Sequence, residues 1–270
     1  PSQPAPTTST PTTSQPTTTQ IPAETSSSSS TAPIQTTLPP VTTPTLQLGA
    51  FNANVGTIQV SFNGWTDTPS CKKKKKTTFI YWENYGYSLD SIINGSQDAN
   101  IRRFAEKICP GTILSLFHEM NGNRDPWDGT VGSNTPAKVI SAYKRIHDII
   151  GNKAKYAWVV NGASVPNTAI NQIENYYPGD AYVDIVGVDG FNWGGLTFLQ
   201  AIAPSFPKVK MYNKPIWVTS FGTGQTNQGA WLTDAIKQAK ANGITGLIYF
   251  SKADGVNFTL NAEGLAALKI

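Results

Sequence analysis

The segment that decides the fold begins with TILSLFH (112–118), KVISAYKRIHDIIG (138–151) and KYAWVV (155–160), where short apolar runs alternate with longer helical patterns. The alternation continues to the end of the chain, through AINQIENYY (169–177), YVDIVGVDGF (182–191), LTFLQAIAPSF (196–206), PIWVTSFG (215–222), QGAWLTDAIKQAKANG (228–243), GLIYFS (246–251) and AEGLAALKI (262–270). Five consecutive strand–helix units predict a parallel sheet. The strand runs are apolar throughout, which indicates strands covered on both faces.

The residues before this segment supply further strands. FIYWEN (79–84) and the helical pattern over 88–108 form a sixth unit, and GAFNA (49–53) and IQVSFNGW (58–65) are candidate first and second strands. Eight strands predict an α/β fold of the (β/α)8 TIM barrel type. A parallel crossover needs a dozen or more residues, but only about four separate the first two candidates. We therefore expect the first units of the barrel to have shortened or missing helices.

The amino-terminal 45 residues have a different composition. Ser, Thr and Pro account for 33 of them, and Glu24 is their only charged residue. Such a segment offers too little apolar surface to offset the entropy of ordering it. We predict a disordered Ser/Thr/Pro linker at 1–45 and one folded domain at 46–270. Because the linker resembles the O-glycosylated stalks of extracellular proteins, we expect a secreted protein.

The net charge of +4 has a local origin. The folded part contains 21 basic and 16 acidic residues, so the run Lys72–Lys76 accounts for its whole excess. A solvated loop is the favoured interpretation of this run, and a tether to a polyanion is the alternative. No aromatic residue interrupts the lysines, so we expect no nucleic-acid partner. No apolar stretch reaches about eighteen residues, so we expect no membrane span.

The cysteines and histidines are few. Cys71 and Cys109 are candidates for a disulfide in an oxidising compartment, but the sequence leaves their pairing open. His118 and His147 are the two histidines, and neither lies at metal-ligand spacing from another candidate ligand. We therefore expect no metal and no cofactor.

The candidate site lies where the apolar runs end, because reactive groups of a TIM barrel project from the carboxyl ends of its strands. These ends are rich in aromatic, amide and carboxylate side chains and read YWEN, FHEMNGN, VVN, DGFNW, TSFG and YFS. Glu119 is the strongest candidate, because a partly desolvated carboxyl group favours the protonated form that a general acid needs. His118 beside it is predicted to be a hydrogen-bonded scaffold group. Ser220 lacks the glycine of a GxSxG motif, so a serine-hydrolase elbow is not expected.

Several of these motifs together resemble one known family. FHEMNGN (117–123) with Trp127, YPGDAYVDIVGVDGFN (177–192), KPIWVTSFG (214–222) and YWENY (81–85) resemble, in order and spacing, glycoside hydrolase family 26. The resemblance implies a (β/α)8 barrel that cleaves a β-linked polysaccharide or oligosaccharide with retention, using two carboxylates roughly 5 Å apart. It implies β-mannan as the first substrate, mixed-linkage β-glucan or xylan as the next, and a monomer.

The resemblance also assigns roles to residues. Glu119 falls on the general acid/base of the family, and Ser220 falls on the position of its glutamate nucleophile. Phe191 replaces a tyrosine that usually hydrogen-bonds this nucleophile. The positions expected to bind substrate are His118, Trp82, Glu83, Asn121, Trp127, Phe191, Asn192, Trp193 and Tyr249.

Ser220 changes the chemistry that the resemblance implies. A serine without a neighbouring base cannot form the glycosyl ester, and the loss of a covalent catalyst costs on the order of 10⁴-fold in rate. Three explanations remain open: an engineered substitution, a natural protein that binds glycan without cutting it, or a replacement carboxylate, with Asp189 and Glu83 as candidates. The absence of a phenol at Phe191 favours natural divergence. An endo-acting hydrolase is the first hypothesis, and a glycan-binding protein without activity is the second.

Overall fold

The structure, a computed structural model, describes residues 45–71 and 76–269. The predicted linker at 1–45, apart from Thr45, lies outside these residues, and so do Lys72 to Lys75 of the lysine run. Lys76, the last lysine of the run, donates a hydrogen bond of 2.8 Å to Oδ1 of Asn54.

Eight parallel strands close into a barrel in chain order. They are β1 (Gln47–Phe51), β2 (Ile58–Gly64), β3 (Thr77–Glu83), β4 (Thr112–Leu116), β5 (Ala154–Asn161), β6 (Ile185–Asn192), β7 (Ile216–Thr223) and β8 (Ile244–Phe250). The prediction of a TIM barrel is confirmed. A short antiparallel ribbon of β9 (Ala253–Asp254) and β10 (Val256–Asn257) follows the last barrel strand.

Helices follow most of the strands from β3 onward. They are α1 (Leu89–Ile93), α2 (Asp98–Lys107), α3 (Pro136–Ile150), α4 (Phe198–Ile202), α5 (Ser205–Val209), α6 (Gln228–Ala241) and α7 (Ala262–Ala267). The longest, α3, begins with a proline in its first turn and is capped by the side chain of Thr135, as expected for a stable helix start. None of the helices in the described part of the chain is long and apolar enough to cross a membrane.

The first units of the barrel are shortened, as the sequence predicts. Among the described residues, no helix lies between β1 and β2 or between β2 and β3. β1 makes most of its pairing with β8, from Gln47 opposite Gly246 to Phe51 opposite Phe250. Cys71 and Cys109 form a disulfide, which settles the pairing that the sequence leaves open. The bond joins the connection after β2 to the segment between α2 and β4.

Three helical predictions need correction. The pattern at 196–206 divides into α4 and α5, which Ala203 and Pro204 separate. The pattern at 169–177 forms only the 3-10 turn Ile173–Tyr176, because side chains there compete for backbone carbonyls. Nδ2 of Asn175, for example, donates to the carbonyls of Ala169 and Ile170, over 2.9 Å in each case. The pattern at 88–108 divides into α1 and α2 at a turn that contains Gly95, whose φ is 91°.

Alternate residues of each strand face the two sides of the barrel wall. The interior side holds a compact apolar cluster of Ile58, Phe79, Tyr81, Ile113, Ala157, Val159, Ile185, Trp217 and Ile248. The outer side packs against the helices and holds a larger cluster that includes Trp82, Leu114, Trp158 and Tyr249. Every residue of β4 is buried, so this strand is a rigid support for the turn after it.

Candidate functional site

Glu119 lies in a tight turn directly after β4. Phe117 and Glu119 both have positive φ values, 53° and 56°, which are uncommon for residues other than glycine. Strained backbone of this kind persists only where surrounding contacts hold it, and it concentrates at functional sites. Here the carbonyl of Glu119 accepts a 2.7 Å hydrogen bond from the backbone N–H of Gly122, and the backbone N–H of Glu119 donates to the carbonyl of Val159 over 3.0 Å.

The carboxylate of Glu119 is buried and held by two donors. Nη2 of Arg124 lies 2.7 Å from its Oε2, and Nδ2 of Asn161 donates to the same oxygen over 3.0 Å. Burial raises the pKa of Glu119 above its ordinary value, and the guanidinium of Arg124 opposes that rise. Oε1 is left without a protein hydrogen bond among the described residues, so it is the oxygen available to a ligand.

The loop after Glu119 is held by a buried acid and a buried indole. Oδ2 of Asp128 accepts hydrogen bonds from the backbone N–H groups of Arg124, at 2.8 Å, and Asp125, at 3.0 Å. Burial raises the pKa of Asp128 to about 7. Nε1 of Trp127 donates to the carbonyl of His118 over 2.8 Å. These contacts fix the loop on which Arg124 lies, and the Arg124 side chain contacts Glu119 from this loop.

Ser220 lies on β7 beside a second buried carboxyl group. In the strand register it is opposite Asp189 of β6, and a register shift precedes this pair. Oδ1 of Asp189 accepts a 2.5 Å hydrogen bond from Oγ1 of Thr219. Burial, and then the charge of Glu119, raise the pKa of Asp189 well above its usual range.

A cleft of about 720 Å³ opens at this end of the barrel. Its walls combine acidic, basic and aromatic side chains, among them Glu83, Tyr85, His118, Glu119, Arg124, Asp189, Phe191, Trp193, Ser220 and Lys252. Trp193 is 51% exposed, as is Tyr85. Burial raises the pKa of Glu83 to about 7, and the charge of Asp125 adds to this effect. The cleft therefore offers an acid, flat rings and a charged rim to a polar ligand.

Six residues predicted for the site line this one cleft: Glu119, Ser220, His118, Glu83, Phe191 and Trp193. His118 packs its ring against Tyr81, 5.0 Å between centroids, and against Trp127 at 5.1 Å. Desolvation lowers its pKa to about 4, so the imidazole is neutral near pH 7. Aromatic neighbours hold the ring, but its buried Nδ1 has no hydrogen-bond partner among the described residues, so the hydrogen bond expected of a scaffold group is missing at that nitrogen.

The structure places the other five predicted residues outside the cleft. Trp82 is 1% exposed and stacks between Trp65 and Phe104, with ring centroids 4.2 and 3.8 Å away. Its side chain lies in the layer between sheet and helices, because it alternates with the inward-facing Tyr81 and Glu83. Tyr249 is likewise fully buried, and Nε2 of Gln228 donates to its hydroxyl over 3.0 Å.

Three of these five residues support the cleft from beneath. Oδ1 of Asn121 accepts a 2.8 Å hydrogen bond from the backbone N–H of Asn161. Nδ2 of Asn192 donates to Oγ1 of Thr223 over 3.0 Å, which links β6 to β7. Trp127 is fully buried and meets the exposed Tyr85 ring edge to face at 5.0 Å. These three residues were expected to contact substrate, but in the structure they support residues that line the cleft.

Sequence reasoning missed several residues of the cleft. The strand ends did predict an aromatic lining, but the half-buried rings of Phe51, Phe62 and Phe250, which line the cleft together with Phe191 and Trp193, were not among the predicted site residues. Alternation along β8, with Ile248 inside and Tyr249 outside, is the signal that points to Phe250. Arg124 and Lys252 lie on loops, where no periodic pattern indicates which way a side chain points.

Comparison with known proteins agrees with this geometry. The sequence model described as "Glycosyl hydrolase family 26" matches residues 45–264. Endoglucanase H of Acetivibrio thermocellus is 30% identical over 213 residues, which are 70% of this chain and 23% of that protein. This chain thus spans about a quarter of the length of that curated relative.

Solved structures show the same fold. A GH26 β-mannanase from Bacteroides ovatus superposes with a TM-score of 0.59 at 12% identity, over 83% of this chain and 86% of that one. A double mutant of the Cellulomonas fimi endo-β-1,4-mannanase gives a TM-score of 0.54 at 18% identity, over 72% of this chain and 52% of that one. With the family match over most of the described residues, these findings lead to one conclusion: the chain belongs to glycosyl hydrolase family 26.

Proposed function

We propose that the cleft binds a chain of β-linked sugars and that the protein is an endo-acting β-glycoside hydrolase. The observation that carries the proposal is the position of Glu119, a buried carboxyl group at the base of an open cleft with aromatic walls. An endoglucanase and an endo-β-1,4-mannanase among the similar proteins support the endo mode of action.

β-Mannan is the substrate that we propose first, followed by mixed-linkage β-glucan and xylan. The names of the mannanases of the same fold support β-mannan, and the name of Endoglucanase H supports β-glucan. The exposed ring of Trp193 and the ring of Tyr85 offer flat apolar faces for pyranose rings. Glu83, Asp125 and Lys252 lie at the same cleft and offer partners for sugar hydroxyl groups.

Glu119 acts in this proposal as the general acid. Its protonated carboxyl group donates to the glycosidic oxygen as the bond to the anomeric carbon breaks. Burial favours the protonated form, whereas Arg124 and Asn161 favour the ionised form. Displacement of the exposed guanidinium of Arg124 by a bound sugar would therefore prepare Glu119 for proton transfer.

Ser220 supports a second candidate function, the binding of glycan without hydrolysis. Retention requires a carboxylate that attacks the anomeric carbon, and a serine hydroxyl does not supply it. Under this alternative the same cleft binds oligosaccharide and releases no product. We also propose that the protein acts outside the cell and as a monomer; the Cys71–Cys109 disulfide supports the extracellular site, because such bonds persist in oxidising compartments.

The test compares wild-type protein with Glu119→Gln and Ser220→Glu on β-mannan, mixed-linkage glucan and xylan, with reducing ends and binding heats measured. Glu263→Gln, on the exposed face of α7, is the matched control. Release of sugar by the wild type and its loss in Glu119→Gln support the hydrolase. Binding without release supports the second candidate. The absence of both binding and release from every glycan would exclude both functions.

A further inference from the structure

The chain contains the pattern Asn-x-Ser/Thr, without proline in the middle, at 94–96 (NGS) and at 257–259 (NFT). In proteins that pass through a eukaryotic secretory pathway, this pattern marks the asparagines that accept N-linked oligosaccharides. A pattern of three residues arises often by chance, so its use depends on where the asparagine lies in the fold. The two copies differ in this respect.

Asn94 lies in an exposed turn between α1 and α2. It is the C-cap residue of α1, and its backbone N–H donates to the carbonyl of Asp90 over 2.9 Å. Gly95, the next residue, has a positive φ and ends the helical path of the chain. The side chains of Asn94 and Ser96 are both exposed. The backbone of the motif is therefore fixed, while its side chains stay open to solvent.

The two ends of the Asn94 side-chain amide have different surroundings. Oδ1 accepts hydrogen bonds from the backbone N–H of Ser96, at 2.9 Å, and from the hydroxyl of Ser96, at 2.6 Å. Nδ2 donates no hydrogen bond within residues 45–71 and 76–269. The hydroxyl of the motif therefore holds the oxygen of the amide and leaves its nitrogen, the atom to which a glycan is attached, in solvent.

We propose that Asn94 is the acceptor of an N-linked oligosaccharide. This inference rests on the extracellular location that is part of the proposed function. The donor is an oligosaccharide joined to a lipid through a pyrophosphate group. Nδ2 bonds to the anomeric carbon of the first sugar, the bond from that carbon to the pyrophosphate oxygen breaks, and Nδ2 gives up one proton. The lipid pyrophosphate leaves, and no group is oxidised or reduced.

The disulfide supports this modification. Asn94 lies within the segment that the Cys71–Cys109 bond closes. In a eukaryotic cell, disulfides form in the oxidising lumen of the endoplasmic reticulum. Oligosaccharides are attached to Asn-x-Ser/Thr patterns of secreted chains in the same compartment. One passage through that compartment therefore supplies both modifications to this segment.

A glycan at Asn94 leaves the cleft open. Asn94 is not among the described residues that line the cleft. Its turn packs against α3 instead, since a Cβ atom added to Gly95 would lie 2.6 Å from Nη2 of Arg145. Arg145 also donates two hydrogen bonds of 2.8 Å to the carboxylate of Asp98 on α2. The outer helix layer, and not the wall of the cleft, therefore carries the glycan.

The second copy of the pattern lies beside the cleft. Its middle residue, Phe258, is fully buried, and the centroid of its ring lies 5.1 Å from those of Phe191 and Trp193. Both of these residues line the cleft. The proposal is therefore confined to the first copy, and the substitution Asn257→Gln removes the second from the test.

The test secretes the chain from a eukaryotic host and compares its intact mass before and after an amidase removes N-linked glycans. In the Asn257→Gln variant, we expect the amidase to lower the mass by one oligosaccharide and to convert Asn94 to aspartate, which peptide mass spectrometry detects. Ser96→Ala added to this variant should abolish the glycan although Asn94 is still present. Asn167→Gln, at an exposed asparagine outside the pattern, is the matched control and should retain the glycan.

Secreted Asn257→Gln protein without a glycan at Asn94 would overturn the inference, and so would a glycan that persists after Ser96→Ala. Glycopeptides of the wild type report on Asn94 directly, so the result stands even if a variant is not secreted. Sugar release and oligosaccharide binding should be equal before and after amidase treatment, and a difference would overturn the position of the glycan away from the cleft. Absence of both release and binding from a glycosylated sample would reject the proposed function and leave the glycan at Asn94 established.

Discussion

Nη2 of Arg124 lies 2.7 Å from Oε2 of Glu119, and this ion pair joins a side chain that is 59% exposed to one that is 9% exposed. The buried carboxylate of Glu119 is therefore paired with a side chain that is largely exposed to solvent. The positive charge of Arg124 opposes the effect of burial on the pKa of Glu119, so the pair influences the protonation of this acid.

Substitution of Arg124 by Met should extend activity to higher pH. Arg124 stabilises the ionised form of Glu119, so its removal raises the pKa of that carboxyl group further. The general acid then stays protonated to higher pH, and the alkaline limb of the kcat/KM profile moves upward. Arg102→Met on α2, where the side chain is 64% exposed, is the control and should leave the limb in place. An unchanged or lowered limb in Arg124→Met would argue against Glu119 as the acid.

Substitution of Asp128 by Asn should change how stability depends on pH. Burial raises the folded-state pKa of Asp128 from 3.8 to about 7, so the fold favours the protonated form. The contribution of protonated Asp128 to the free energy of unfolding is fully present below about pH 4 and is lost as pH rises to about 7. The asparagine side chain of the variant carries no charge, so the stability of the variant relative to wild type should increase over this range, by up to ~4 kcal/mol.

Denaturant unfolding at pH 4.5 and 7.5 measures this difference. Glu263→Gln, a surface substitution, serves as the control and should show no trend with pH. A constant difference between Asp128→Asn and wild type would show that Asp128 is ionised in the folded protein at both pH values.

Two tryptophan variants distinguish a residue that stabilises the core from a residue that binds the ligand in the cleft. Trp82→Ala empties a site between Trp65 and Phe104 and should cost about 3–5 kcal/mol of unfolding free energy with little change in oligosaccharide affinity. Trp193→Ala removes an exposed ring and should weaken affinity about tenfold with little loss of stability. Thermal unfolding and calorimetry measure the two effects. An equal loss of affinity in both variants would place Trp82 at the ligand after all.

The sequence was sufficient to predict the barrel and the position of Glu119 in the cleft, whereas the role of Glu119 as the acid stays a prediction. Apolar runs that alternate with helical patterns determine a parallel sheet, and the carboxyl ends of its strands meet at one face, so Glu119 and Ser220 had to lie together. The linker prediction at 1–45 and the extracellular location stay predictions.

The wrong predictions of cleft residues concern strand positions whose inward or outward direction was not distinguished. Trp82 and Tyr249 are large aromatic residues near strand ends, and both were expected to line the cleft. Each lies one position away from an inward-facing residue, Glu83 and Phe250, so the two-residue period of a strand directs it to the helix layer. In runs that are apolar on both faces, composition does not show which set faces inward.

The loop contacts could not be predicted for a different reason. Arg124 reaches Glu119 because Asp128 accepts hydrogen bonds from two backbone N–H groups and bends the chain. The register of Asp189 with Ser220 depends on a shift within the β6–β7 pair. Both are three-dimensional constraints without a periodic signature in the sequence.

The central claim, that Glu119 protonates the departing sugar, is tested most directly by changing the leaving group. A dinitrophenyl β-glycoside departs without protonation, whereas a sugar in β-mannan requires it. Glu119→Gln should therefore lose about 10²- to 10⁴-fold in kcat/KM on β-mannan and far less on the dinitrophenyl substrate. Equal losses on the two substrates, or no loss on β-mannan, would contradict the claim.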